Sequence, residues 1–196
     1  MSFPSIIVLE DAVSIEYQES LKDILLGNNF PWYYCKDITN TFVDDSQLRP
    51  GFSHTFIMDN RAVSQYHTLV MPLIDEVCNR LNFKYRQIAR AKTTLQVPLA
   101  EKLIGDGIDT IHVDNDYSHW VLLYYVKDSD GDTLLLDKTY TKELGFSPNL
   151  TEYSIEKRYT PKQGTVIFFD GSIYHTVEQP RKNTRCIINV NLFEEN

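Results

Sequence analysis

Two periodicities divide the chain. Between Asp11 and Leu26 the apolar positions Val13, Tyr17, Leu21, Ile24 and Leu25 recur at spacings of three and four, and Gly27-Asn28-Asn29 ends the run. That pattern predicts an amphipathic helix. A second stripe, Val63, Tyr66, Val70, Leu73, Ile74, Val77 and Leu81, predicts a helix capped by Asp59, running to about Leu81 and kinked at Pro72. Between the two, Pro31 to Ser53 is aromatic and polar and reads as an irregular or short-stranded connection. From Tyr85 the period changes to two, and short runs rich in Val, Ile, Thr and Tyr alternate with turn residues. The candidate strands are 85–96, 108–113, 119–127, 132–137, 151–159, 164–169, 172–179 and 184–193.

Strands this close together need antiparallel connections, because parallel ones require long crossovers. The expected fold is mostly β with N-terminal helices: a double-sheet jelly roll on a helical support, although periodicity alone also permits another sandwich or barrel. The 196 residues fit a single domain, with 1–84 as helical support and 85–193 as the β core.

Composition narrows the class. Apolar residues make up 42% and charged residues 23%, as in ordinary globular domains, and the longest apolar runs, such as Trp120 to Val126, are too short to span a bilayer. The segment MSFPSIIVLED has no secretory pattern, so a cytoplasmic protein without membrane association is the expectation. Cys35, Cys78 and Cys186 are scattered, which argues against a disulfide framework or a thiolate zinc site. A net charge of −8 argues against a nucleic-acid backbone as partner and favours a peptide, protein or small-molecule substrate.

The chemistry concentrates in Ile111-His112-Val113-Asp114-Asn115-Asp116. On a strand, His112 and Asp114 point to the same side, and His175, in Asp170-Gly171-Ser172-Ile173-Tyr174-His175-Thr176, offers a third ligand. Two histidines and one carboxylate leave positions open for a chelating cosubstrate and oxygen, an arrangement that suits Fe(II), although the same donors also accept Mn, Co, Ni or Zn. Ten residues beyond His175, Arg185 stands on what reads as the adjacent antiparallel strand. A buried guanidinium needs an anionic partner, and its planar fork matches a carboxylate such as the distal one of 2-oxoglutarate.

At this point the chain resembles the 2-oxoglutarate- and Fe(II)-dependent dioxygenases, in particular their prolyl 4-hydroxylase-like branch. The matching residues are His112-Val113-Asp114-Asn115, Leu123-Tyr124-Tyr125-Val126, Asp130-Gly131-Asp132-Thr133, Gly164-Thr165-Val166-Ile167-Phe168-Phe169, His175, and Arg185 leading into Ile188-Asn189-Val190-Asn191-Leu192-Phe193. The resemblance spans about residues 85 to 193 and implies a double-stranded β-helix, a cupin-like jelly roll, with His112, Asp114 and His175 as metal triad. It also implies that Arg185 pairs with the C5 carboxylate of 2-oxoglutarate, that Tyr125 supports the same group, and that a substrate such as a peptidyl proline is hydroxylated. O2 would be consumed, succinate and CO2 released, and ascorbate could assist.

Two departures stand out. The branch often has a Tyr on the strand before HxD, where this chain reads Arg90-Ala91-Lys92-Thr93-Thr94-Leu95-Gln96, leaving Gln96 or Thr94 to face the cosubstrate. Two residues after Arg185, where Ser or Thr is common, stands Ile187. Alternation puts Arg185, Ile187, Asn189 and Asn191 on one face, making Asn191 a candidate substrate or cosubstrate contact or else a structural hydrogen bond. Tyr125 has the alternative of an ordinary core aromatic. Asn115 and Asp116 could orient ligands, and Trp120 and Tyr174 could wall a pocket or simply pack. His54, His67 and His119 lack companions at ligand spacing. The segments Phe30 to Ser53 and Leu99 to Asp109 read as lids that choose the substrate. Two other readings remain: an oxygenase acting on a nucleobase or small metabolite, and a jelly-roll binding module without turnover.

Overall fold

A computed structural model describes residues 4–38, 48–104, 107–148 and 152–195. Its large sheet runs in the order β1 (Ile6–Leu9), β9 (Val166–Asp170), β6 (Trp120–Tyr125), β11 (Arg185–Glu194), β5 (Tyr85–Gln96), β3 (Gly51–Met58) and β2 (Tyr33–Cys35), with β4 (Arg61–Ala62) hooked onto β3. A smaller sheet, in the order β10 (Ile173–Val177), β7 (Thr133–Thr139), β8 (Ile155–Tyr159), faces it. Every pairing is antiparallel. This is the expected jelly roll.

Why two layers close is written in the alternation of the central strands. On β6, Val121, Leu123 and Tyr125 point between the sheets, where they meet Ile167 and Phe169 of β9 and Leu135 of β7. Leu122 and Tyr124 point the other way, into a cluster with Leu21 and Leu25 of α1 (Ile15–Leu25) and Ile74 and Val77 of α2 (Met71–Leu81). Both faces are covered, so these strands read as unbroken apolar runs. Ser14 caps α1 by accepting a hydrogen bond from the Tyr17 amide. No helix among the described residues is long and apolar enough to cross a membrane.

Several expectations are corrected. The helix from Asp59 to Leu81 does not form as one element. Asp59 and Asn60 both have positive φ and make the two-residue turn between β3 and β4, followed by a 3-10 turn at Gln65–Leu69. Pro72 does not kink a helix; it lies in the first turn of α2, where a missing N–H costs nothing. Residues 51–58 form a full strand, β3, paired with β5, and residues 6–9 form β1, paired with β9. The N-terminal part therefore supplies sheet as well as helices. The segment 108–113 makes only isolated bridges, Ile108 with Glu178 and His112 with His175. The segments expected to act as lids lie partly outside the described residues.

Candidate functional site

The isolated bridge carries the geometry of the site. The His112 amide donates to the His175 carbonyl at 3.0 Å and the His175 amide donates back to His112 at 2.9 Å. Directly opposed residues of an antiparallel pair send their side chains to one face, and the two imidazole centroids stand 4.6 Å apart. Asp114, two residues on, joins them, so that one ligand atom from each of His112, Asp114 and His175 lies within 4.8 Å of the others.

The imidazoles are set up for a metal. Nδ1 of His112 lies 2.9 Å from the Thr110 carbonyl, and Nδ1 of His175 lies 3.0 Å from the Ile173 carbonyl. A carbonyl only accepts, so each Nδ1 carries the proton and each Nε2 presents its lone pair. Burial lowers both imidazoles, His175 to about 4, which keeps them in the neutral form a cation requires. Burial alone would raise the Asp114 carboxyl, but Arg90, then His175 and His112, hold it well below the usual carboxylate range. Arg90 Nη2 donates to Asp114 Oδ1 at 2.7 Å; Asn191 and Asn189 donate to Oδ2 at 2.8 and 3.2 Å. These residues fit a divalent cation: two neutral imidazoles and one ionised carboxylate, each held from behind.

The triad opens onto a cavity of about 700 Å³ between the sheets. Arg185 lies at the other end, buried, with Nε donating to the Gly131 carbonyl, Nη1 to Gln96 Oε1 and Nη2 to Thr133 Oγ1. A Cβ on Gly131 would lie 3.1 Å from Arg185 Cδ and 2.8 Å from the Glu178 carbonyl, so glycine lets the arginine pass. Gln96 in turn donates to Asp109 Oδ2 at 3.0 Å, and Asp109 Oδ1 accepts from Arg49 Nε at 2.9 Å. Burial raises Asp109 to about 6 against the pull of Arg49. The chain Arg185–Gln96–Asp109–Arg49 fixes the guanidinium plane.

The other expected contacts divide. Thr94, Gln96 and Ile187 line the cavity. Tyr125 and Asn191 do not line it: Tyr125 donates to Thr133 Oγ1, one step behind Arg185, and Asn191 is spent on Asp114. Asn115 and Asp116 make no hydrogen bond to the triad; Trp120 stacks on Phe168 on the helix side, and the Tyr174 hydroxyl donates to the Gly145 carbonyl. His54 is buried and satisfied by the Pro31 carbonyl and Ser64. His67 lies in the 3-10 turn, and His119 packs against Gly171. Sequence reading passed over Arg90 and Lys92, which line the cavity on the same alternating face as Thr94 and Gln96, and that parity was the available signal. For Asp109 and Arg49 no local pattern existed.

No family model matches the sequence, and no curated protein does either. Solved structures are similar at low identity. An oxidoreductase of the 2OG-Fe(II) oxygenase family from Burkholderia pseudomallei matches with TM-score 0.67 and 13% identity over 98% of this chain and 86% of that one. A prolyl hydroxylase from Trichoplax adhaerens, in complex with a hypoxia inducible factor oxygen degradation domain peptide fragment, matches with TM-score 0.58 and 16% identity over 97% and 84%. HygX from Streptomyces hygroscopicus, with nickel, 2-oxoglutarate and hygromycin B bound, matches with TM-score 0.60 and 12% identity over 96% and 82%. The chain thus has the jelly-roll fold shared by 2-oxoglutarate- and iron(II)-dependent oxygenases, prolyl hydroxylases among them.

Proposed function

We propose that the chain is a 2-oxoglutarate- and Fe(II)-dependent dioxygenase that hydroxylates an organic substrate. The observation that carries this reading is the pairing of two Nδ1-protonated imidazoles and an ionised carboxylate at one end of a cavity with a fixed guanidinium at the other. His112, Asp114 and His175 would hold the metal. Bound iron would supply oxygen activation coupled to oxidative decarboxylation of 2-oxoglutarate to succinate and CO2.

The protein's own part is binding and orientation. Arg185 offers a positive, planar fork to the distal carboxylate, and Thr133 and Gln96 keep that fork from rotating. Thr94 and Ile187, opposite each other on β5 and β11, line the space between guanidinium and metal. Arg90, Asn189 and Asn191 keep Asp114 aimed and ionised.

The structural likeness to a prolyl hydroxylase bound to a peptide supports a peptide or protein residue, peptidyl proline included, as substrate; the likeness to HygX supports a small molecule. Purified protein given Fe(II), ascorbate and 2-oxoglutarate labelled at C1 should release labelled CO2, slowly even without substrate. His112→Ala or His175→Ala should bring that release to background. Release unchanged in His175→Ala would remove it from the triad.

A further inference from the structure

Strand β5 turns Arg90, Lys92, Thr94 and Gln96 into the cavity. Gln96 is tied to Arg185 and Asp109, and Arg90 is tied through Nη2 to Asp114. Lys92 differs from its neighbours. Among the described residues its ammonium has neither a hydrogen-bond acceptor nor an ion-pair partner, although it lines the cavity. Its cross-strand neighbours are Thr55 on β3 and Asn189 on β11, and neither carries a charge. The nearby Arg90 Nε is buried without an acceptor, and the Asn189 Oδ1 is buried without a donor.

The charges of the cavity leave Lys92 over. Asp109 is matched by Arg49, and Asp114 by Arg90 and the metal it would hold. The distal carboxylate of 2-oxoglutarate would occupy Arg185. Lys92 sits four residues from Gln96 along β5, roughly 13 Å of strand, and so belongs to the metal end and not to the Arg185 end. A half-buried ammonium with no hydrogen-bond acceptor beside it is only partly solvated, and burial, reinforced by Arg90 and opposed by Asp114, lowers Lys92 to about 8.

We propose that the primary substrate carries a compact oxyanion, a carboxylate or a phosphate monoester, and that Lys92 binds it at the metal end of the cavity. This rests on the oxygenase reading above and adds the substrate class. The oxyanion, held by the wall of β5, would fix which C–H bond of the substrate faces the triad.

The test uses Zn(II)-loaded protein saturated with 2-oxoglutarate, titrated calorimetrically with a panel of acids and their neutral counterparts. N-acetyl-L-proline against N-acetyl-L-prolinamide serves the carboxylate arm, and glycerol 3-phosphate against glycerol the phosphate arm. The expected result is that one class of acid binds roughly tenfold or more tighter than its neutral partner, a preference that Lys92→Met removes and Lys92→Arg partly restores. Equal affinity of acids and neutral partners, no binding of any acid, or a preference that survives Lys92→Met overturns the proposal. So does a Lys92→Met protein whose only change is weaker 2-oxoglutarate binding, because the ammonium would then belong to the cosubstrate. A protein that takes up neither Zn(II) nor 2-oxoglutarate fails the oxygenase reading before any probe is added, and takes this inference with it. One that binds both and treats acids and amides alike fails this inference alone.

Discussion

The two faces of the large sheet are built from the same strands, share an apolar core where β6 and β9 run, and differ most along β5 and β11. Toward the helices, β6, β9 and β11 present Leu122, Tyr124, Phe168, Ile188, Val190 and Leu192, all buried and apolar. Toward the small sheet, one residue out of step, β11 presents Arg185, Asn189 and Asn191, and β5 presents Arg90, Lys92, Thr94 and Gln96. The difference teaches how a small domain keeps charged groups in its interior: a mainly apolar layer supports the sheet on one side, so part of the other can hold a polar cavity. Substitutions on the outer face should therefore damage folding, and those of the polar residues that β5 and β11 turn to the inner face should damage ligand binding.

The largest stability effect expected is at Ile188, which is fully buried on the helix side. Ile188→Ala should destabilise the fold by about 2–5 kcal/mol in denaturant melts while the surviving folded protein keeps its 2-oxoglutarate affinity. Arg185→Ala should do the reverse in kind: a rise of roughly tenfold to hundredfold in the 2-oxoglutarate concentration needed, as for a lost charged hydrogen-bonding group. Asn191→Ala, which removes one support of Asp114 Oδ2 without touching a metal ligand, should weaken metal affinity roughly tenfold to hundredfold. Loss of 2-oxoglutarate binding with metal affinity intact would instead make Asn191 a cosubstrate contact.

The smallest effect is a pH slope. Burial holds His175 to about 4, against 6.5 for an unperturbed imidazole. Across that window the unfolded chain binds more protons than the folded one, so the stability of metal-free protein is lost as pH falls from 6.5 toward 4. Thermal melts should show this slope in the wild type and a shallower one in His175→Ala.

Much of the fold was legible because the strands obey parity. Residues 85–96 appear as β5 with the bounds read from the sequence, and Val121, Leu123 and Tyr125 share the inner face as alternation required. The errors have local causes. The apolar stripe from Val63 to Leu81 has helical spacing, yet the left-handed pair Asp59-Asn60 makes a strand turn just before it and a 3-10 turn occupies its first half. Strand β3 was hidden because its pattern does not alternate cleanly, with Phe56 and Ile57 both buried beside a register shift. Around the site, ligand order and spacing pointed to His112, Asp114, His175 and Arg185, but nothing in the sequence says that Asn191 turns to Asp114, or that Asp109 reaches Arg185 through Gln96. Those contacts join residues on separate strands and loops, and only the folded register brings them together.

The most direct test of the account is an anaerobic titration of Fe(II) and 2-oxoglutarate into wild type and His175→Ala, followed by calorimetry and by the visible absorption of the iron–keto-acid chelate. The account predicts one Fe(II) per chain in the wild type, chelate absorption only when metal and 2-oxoglutarate are both present, and loss of that absorption in His175→Ala. Equal binding of 2-oxoglutarate with and without metal, or the same chelate spectrum in His175→Ala, would contradict it.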